Sequence, residues 1–417
     1  MKIIIAHPLQ QHSYKTAESL LLHNYLHTYV TTIFYDQDKT TYKLLKTILP
    51  VGIQKRLESR KFDIPNSKIK TFSFAIGLLY LLFLRLDKNN ILNKLVYRIL
   101  IFDFGRKVAK YALLKNVDYV LMYDRTAYHA FKRIKKMNGR VKCILEMTSV
   151  PSLTINDILS KEISGKDIFS NNARFKIRQF SKMDHYRYKA ELLLADYILS
   201  PSKFVKQSVI NLGVNHDKIF NVKFGLNNNR LCTNKYLKVY SNKLIFFYAG
   251  GVETAKGVRY LLEAFKSLTE LDVELVIAGT IYVKIDKYGL LNNVKILGYV
   301  SSDEMKEWYS RAHVYIMPSL YEGFSLTIIE ALGNGLPVLA SKNSGAEDII
   351  ENHKHGIVFD AGSVKAIKEC VEWCNNNRDL LPNMSEAAIR IANKYTWHNY
   401  GETLVNNLEI IEGYKNG

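Results

Sequence analysis

From Leu244 onward the chain alternates short apolar runs with amphipathic stretches: LIFFYAG, KGVRYLLEAFKSL, VELVIAG, VKILGYV, DEMKEWYSRA, VYIMPS, SLTIIEALGNG and LPVLAS. Short β-rich runs separated by segments of helical period imply βαβ units around a parallel sheet. The second half is therefore expected to be a doubly wound α/β domain. Its helices carry stop marks as well. After the helix ending near Leu332, GNGLP offers glycine for a left-handed cap and a proline that cannot continue the turn.

The first half follows the same pattern less regularly. KIIIAHP predicts a strand, Tyr14 to Leu26 a helix, VTTIFYD a strand, and residues 40 to 116 a long helical and loop region. VDYVLMYD and VKCILEM follow as strands, and ELLLADYILSPSKFVKQSVINLGV as helix, strand and helix. A chain of 417 residues exceeds one ordinary core, so two domains are expected. The asparagine-rich stretch GLNNNRLCTNKYLKVYSNK, without sustained periodicity, places the boundary near residues 225 to 242. The predicted division is 1–228, 229–395 and a final helix, 396–417, returning to the first domain.

Charge divides the same way. Residues 1–240 hold 41 Lys and Arg against 17 Asp and Glu, whereas the remainder holds 17 against 22. So basic a half calls for an anionic partner, nucleic acid or a negatively charged membrane leaflet. No helix-turn-helix, zinc or aromatic RNA motif supports nucleic acid. The run FSFAIGLLYLLFL, Phe72 to Leu84, is shorter than the roughly 20 residues a bilayer crossing needs. Flanked by Lys68, Lys70, Arg85, Lys88, Lys94 and Arg98, it reads either as an interfacial segment on acidic headgroups or as a core helix with a solvated basic edge. The opening MKIIIAHPLQQHS runs straight into a strand and lacks the regions of a secretory leader, so a cytoplasmic protein, peripheral at the inner face of the cell membrane, is expected. Cys143, Cys232, Cys370 and Cys374 form no CxxC pair, and reduced, buried thiols are expected.

The stretch YEGFSLTIIEALGNG, Tyr321 to Gly335, sets two carboxylates eight residues apart at the mouth of a helix. A helix beginning near Ser325 presents open amides from Phe324 to Thr327, and its dipole favours a phosphate or diphosphate. Glu330, one turn deeper, suits a cation or the cis-diol of a ribose, and Glu322 in the preceding loop suits a second polyol. Two polyols flanking a diphosphate describe a nucleotide sugar.

With these residues in view, YAGGVETAKGVRYLLEAF, ILGYVSSDEMKEWYSRAHVYIMPSLYEGFSLTIIEALGNGLPVLAS and ADYILSPSKFVKQSVINLGVNHDKIFNVKFGLN together resemble glycosyltransferase family 4, retaining enzymes of the GT-B fold, in which two Rossmann-like doubly wound domains face each other across a cleft. The resemblance is dense from about residue 190 to 375. It implies that Glu322 lies near the donor sugar, that Glu330 binds the ribose, and that Lys256, before Gly257, binds the diphosphate. Gly250, Gly251, Gly323, Phe324, Ser325, Leu326 and Thr327 are the expected backbone of the donor site. Where the family commonly has an arginine after the first strand's glycine, this chain has Gly251, which leaves Lys256, or Arg259 in substitution, to carry the leaving-group charge.

The first domain offers fewer marks. HPLQQHSYKTA supplies His7, Gln10, Gln11, His12 and Ser13 at the cleft edge, with Ser13 as helix cap and His12 as either a catalytic residue on the acceptor or diphosphate side of the cleft or a structural loop histidine. Glu146 or Thr148 stands where relatives often have a histidine, and Asp124 and Arg125 are further cleft candidates. Asp36–Asp38 reads as a metal-binding DxD triplet or a polar turn, with the turn favoured, and no other grouping has metal-ligand spacing.

The implied reaction is a metal- and cofactor-independent transfer of a hexosyl unit, with retention, from a UDP- or GDP-sugar to a glycan or lipid-linked saccharide, as in bacterial-type surface polysaccharide synthesis. Domain closure about residues 225 to 242 would exclude water. The rival readings are a phosphorylase or epimerase on a similar frame, for which no supporting feature is present, and a catalytically silent scaffold in a membrane glycan-assembly complex.

Overall fold

The computed structural model describes residues 1–9, 11–35, 54, 63–87, 91–137, 139–226, 243–285 and 291–416. Within them the strands β1 (Ile3–Ala6), β2 (Leu26–Thr31), β3 (Ile69–Thr71), β4 (Tyr119–Tyr123), β5 (Lys142–Glu146), β6 (Tyr197–Ser200) and β7 (Ile219–Asn221) form the first sheet. Strands β8 (Leu244–Ala249), β9 (Val273–Ala278), β10 (Val294–Gly298), β11 (Val314–Met317), β12 (Val338–Ser341) and β13 (Gly356–Phe359) form the second. The orders are β3-β2-β1-β4-β5-β6-β7 and β10-β9-β8-β11-β12-β13. Every described pairing is parallel. Both are doubly wound, and each reverses direction beside its own first strand, between β1 and β4 and between β8 and β11. The α/β architecture of two Rossmann-like domains expected above is the one found.

The central strands are continuous apolar runs because helices cover both faces of a parallel sheet. Ile3–Ala6 and Leu244–Ala249 are almost wholly buried, and one core runs through the second domain and into the lower face of the first. A second core lies under the helices Ile91–Lys115 and Tyr128–Met137.

Two boundaries differ from expectation. The first helix is Ser13–Leu22, not Tyr14–Leu26, because Asn24 takes a left-handed backbone at φ 60° and stops it. The chain re-enters the sheet at once, so β2 starts at Leu26 instead of Val30. The apolar run forms the helix Phe74–Leu86, seated through Gly77, which leaves no room for a side chain against Thr32, and through buried Leu81, with Leu79 and Leu84 exposed. Its basic flank is less open than expected: Lys68 donates to the Leu26 carbonyl at 2.9 Å, Lys70 stands 4.7 Å from the Tyr111 ring centre, and Arg98 pairs with Asp184 at 3.0 Å. The Arg85 side chain and Lys88 lie outside the description. Among the described residues no helix is long and apolar enough to cross a membrane. Cys143, Cys370 and Cys374 are free and buried, as expected, and burial raises the thiols of Cys143 and Cys370 to about 12; Cys232 lies outside the described residues.

The chain passes between domains near residue 226 and again near 396. There Leu226 donates its N–H to the Tyr395 carbonyl at 2.9 Å, and it pairs with Thr396 in an isolated parallel bridge. A side chain at Gly225 would strike the Thr396 backbone at 2.3 Å. The helix Trp397–Asn416 then lies against Ser13–Leu22, with the Tyr400 hydroxyl on Glu146 and Thr16, both at 2.7 Å, and the Tyr25 hydroxyl on Glu409 at 2.8 Å.

Candidate functional site

In an open parallel sheet the crevice forms where strand order reverses, at the carboxyl ends. In the second domain that point lies past β8 and β11, and a pocket of about 500 Å³ opens there. Gly250, Gly251, Lys256, Thr327 and Glu330, scattered over 81 positions of sequence, all line it.

Local chemistry explains the convergence. After β8 the Gly250 N–H continues the ladder to the Ala278 carbonyl at 2.9 Å, so two side-chain-free residues present backbone to the pocket. Lys256 ends the short turn Thr254–Lys256, and Gly257 follows with φ 68°. A Cβ there would lie 1.9 Å from the Pro318 carbonyl oxygen, so only glycine lets this turn press onto the loop after β11. That contact sets Lys256 beside Glu322, and the two form an ion pair. The Ser319 hydroxyl donates to the same carboxylate at 3.2 Å.

The helix Leu326–Gly333 opens at Ser325, but Ser325 does not cap it. Its hydroxyl is bonded to that of Thr327 at 2.8 Å, and its N–H is given to the Ser344 carbonyl at 3.2 Å. The expected set of open amides from Phe324 to Thr327 is corrected accordingly: Ser325 is spent, and Leu326 and Thr327 supply first-turn amides without intrahelical partners. Glu330 is buried on the third face of this short helix, where the Tyr309 hydroxyl approaches Oε2 at 3.5 Å.

Glu322 does not line the pocket but pairs with Lys256, which does, and Gly323, Phe324, Ser325 and Leu326 do not line it either. Phe324 is packed edge-on to Phe224 of the first domain at 5.8 Å between ring centres. Gly323 sits so close to the loop after β5 that a Cβ would meet the Thr148 carbonyl oxygen at 2.4 Å, and its own carbonyl accepts the Ser202 hydroxyl at 2.7 Å. These residues seat the loop on the first domain.

The pocket is completed by residues that motif reading passed over: Thr280 and Tyr282 beyond β9, Tyr299 beyond β10, and Met305 and Tyr309. The topology held a signal for the first pair, since VELVIAGT ends beside YAGG in any doubly wound arrangement. Tyr282 also fills the space beside residue 251, where a Cβ would stand 2.9 Å from its ring. A larger hollow of about 810 Å³, lined by Lys342, Asp360 and Trp373, lies beside β13 and holds none of the motif residues.

The first-domain candidates have other partners. His12 does not line the pocket: its Nε2 is 2.8 Å from Glu146, and its ring is enclosed by Tyr123, Phe224, Trp397 and Tyr400. His12 also occupies the cap position expected of Ser13, whose hydroxyl is instead turned inward to Tyr29 at 2.9 Å. His7 Nδ1 bonds within its own loop, 2.6 Å from the Leu9 carbonyl. Asp124 receives the N–H and hydroxyl of Thr148 at 2.7 and 2.6 Å, so it shapes the loop on which Gly323 rests. Arg259 pairs with Glu263 on its own helix at 3.0 Å. Gln10 and Asp36–Asp38 lie outside the described residues. Among those described, no three His, Cys, Asp or Glu side chains converge as a metal-ligand set.

Comparison with known proteins gives this geometry a lineage. Residues 234–391 match the family model for glycosyl transferases group 1. An uncharacterised glycosyltransferase of Methanocaldococcus jannaschii is 23% identical over 73% of this chain and 87% of its own. The capsular polysaccharide biosynthesis glycosyltransferase CapM of Staphylococcus aureus is 25% identical over 62% of this chain and 70% of its own. Anabaena HepE, solved with UDP, superposes with a TM-score of 0.59 at 16% identity over 98% of this chain and 100% of its own. The likeness spans both domains, and the pocket falls inside the matched segment: the chain is built on the GT-B fold, and its similarity to the group 1 glycosyl transferases is carried by residues 234–391.

Proposed function

We propose that the protein transfers a hexosyl unit, with retained configuration, from a nucleotide diphosphate sugar to a glycan or lipid-linked saccharide, while resting peripherally on an anionic membrane surface on the cytoplasmic side. The observation that carries this reading is the convergence of Gly250, Gly251, Lys256, Thr327 and Glu330 on one pocket at the switch point. The relatives' names give it direction, since CapM serves capsular polysaccharide and HepE was solved with UDP.

In this reading Glu330 grips the ribose diol, its desolvated carboxylate being held by Tyr309. The diphosphate lies between the Lys256 ammonium and the amides at the opening of Leu326–Gly333, with the bare backbone of Gly250 and Gly251 permitting close approach. The Lys256–Glu322 pair then acts as an exchange. An arriving diphosphate takes over the ammonium, and the released Glu322 carboxylate turns to the sugar's hydroxyls. As the glycosidic bond breaks, charge grows on the leaving phosphate, where fixed donors in a sheltered site stabilise it without reorganisation. That phosphate accepts the acceptor's proton. His12, held by Glu146 away from the pocket, is assigned a positioning role in place of a catalytic one.

Titration of the purified protein with UDP and with GDP, followed by transfer assays, tests the reading. Saturable binding that is lost in Glu330→Ala supports it. Wild-type affinity in Glu330→Ala overturns the site, and tight donor binding with neither transfer nor hydrolysis points to a silent scaffold.

A further inference from the structure

A second cavity lies in the first domain, beyond the carboxyl end of β4. It encloses about 230 Å³ between the helices Ile91–Lys115, Tyr128–Met137 and Lys182–Leu194. Four cationic side chains line it: Lys94, Arg98, Arg125 and Arg187. Asp124 stands behind Arg125, 3.7 Å from its Nε and itself bonded to Thr148 and Ser149; of the two acids that line the cavity, Asp184 is already engaged by Arg98 at 3.0 Å and by Ser181. Glu191 is spent on the backbone, accepting N–H groups from Arg125, Ala127 and Tyr128, the last two at 3.1 Å. Burial raises the Glu191 carboxyl to about 8, so it offsets little of the positive charge at neutral pH. Among the described residues neither Lys94 nor Arg187 forms an ion pair.

The cavity is built, not incidental. Arg125 is one of five described non-glycine residues with positive φ, 68°, a conformation that costs free energy unless its surroundings hold it. Glu191 holds its N–H, and its guanidinium lies over the rings of Phe180 and Tyr188 at 5.3 and 5.9 Å. His129 lines the same wall, and its buried Nε2 has no hydrogen-bond partner among the described residues. Burial and neighbouring Arg187 and Lys132 lower that imidazole to about 4, which leaves it neutral with an unused nitrogen. A buried polar atom without a partner is costly where no ligand or water reaches it.

The cavity also has a neighbour. A groove of about 570 Å³ between the domains shares Gln179 with it and shares Glu253 and Tyr282 with the donor pocket. Three hollows thus lie side by side, each sharing wall residues with the next.

We propose that this cavity is an acceptor subsite for a phosphate group: Arg125 and Arg187 hold the phosphate of a phosphate-bearing acceptor, whose hydroxyl end reaches along the groove to the donor pocket. The proposal rests on the donor reading above and adds the substrate class. Planar guanidinium groups match phosphate in two-pronged hydrogen bonds. Leu92, Leu95, Ile99 and Phe102, at helical spacing of three, four and three, form an exposed apolar stripe on the helix whose Tyr97, Arg98 and Ile101 line the cavity. A lipid carrying the phosphate would lay its tail there; a soluble phosphate ester would not need it.

The full chain, saturated with UDP to occupy the donor pocket, is titrated with glycerol 3-phosphate and with phosphatidylcholine vesicles that contain or lack polyprenyl phosphate. The phosphate-bearing probe should bind, and Arg187→Ala and Arg125→Ala should each weaken it by roughly tenfold, the worth of one charge-assisted hydrogen bond, with UDP affinity unchanged and Arg187→Lys partly restored. A preference for the doped vesicles makes the acceptor a lipid, and equal binding of glycerol phosphate makes it a soluble ester. Wild-type phosphate binding in both alanine variants, or a parallel loss of UDP binding, overturns the subsite. Failure of wild-type protein to bind UDP would instead strike the donor reading.

Discussion

The two domains share one strand order, yet their switch points look nothing alike. In the second, the turn after β8 is Gly250–Gly251, and an open pocket follows. In the first, the turn after β1 carries His7, Pro8 and Leu9, its Pro8 carbonyl tied to the Thr32 hydroxyl at 2.5 Å, and the crevice is filled by His12, Glu146, Thr16 and Tyr400. Topology supplies a place for a ligand, and the side chains of one turn decide whether the place stays vacant. Where the first crevice is filled, the free volume appears farther out, behind Arg125.

The largest expected effect follows from the open crevice. Lys256→Ala should lower kcat by about a hundred- to a thousandfold, the usual worth of a preorganised oxyanion donor, with the unfolding midpoint little changed. Comparable loss of activity on removing His12 would erase the contrast. Filling the open crevice should come next. Gly251→Tyr drives a side chain into the Tyr282 ring, and overpacking of about 1 to 3 kcal/mol should weaken UDP binding by roughly five- to a hundredfold, partly recovered with Tyr282→Ala.

Stability against pH isolates the first domain. Glu191 is raised from 4.5 to about 8 by burial, so the folded chain keeps a proton that the unfolded chain has released. Stability therefore falls as pH rises from about 4.5 and levels off above about 8, with a slope of at most about 1.4 kcal/mol per pH unit from this group. Chemical denaturation across that range should show this component and lose it in Glu191→Gln. The smallest effect belongs to the filled crevice. Tyr400→Phe removes two buried hydrogen bonds and should cost about 1 to 3 kcal/mol in calorimetry, leaving UDP affinity as it was.

The second domain was legible in sequence because its strands are uninterrupted apolar runs and its glycines stand where backbone must approach backbone, Gly257 against Pro318 being the plainest case. The pocket past β8 and β11 was half legible. Glu330 announces itself through its spacing from Glu322 and Lys256 only through the family resemblance, whereas Tyr282, Tyr299 and Tyr309 reach the pocket from separate elements, and no local pattern marks them. Ser325 was misread as an open amide because the first turn of a helix leaves its N–H groups without intrahelical partners, and only the neighbouring Ser344 carbonyl shows where this N–H goes. His12 was ambiguous for a related reason. Its fate is set by Glu146, Phe224 and Trp397, partners 134, 212 and 385 positions away.

The paired crossings at Leu226 and Thr396 have a mechanical consequence. Two chain segments joined by an isolated bridge resist being drawn apart, because separating them would tear the Leu226–Tyr395 hydrogen bond. The Gly323 loop, seated on Thr148 and Ser202, ties the two domains together at a second place, so the halves are pinned at two points instead of one.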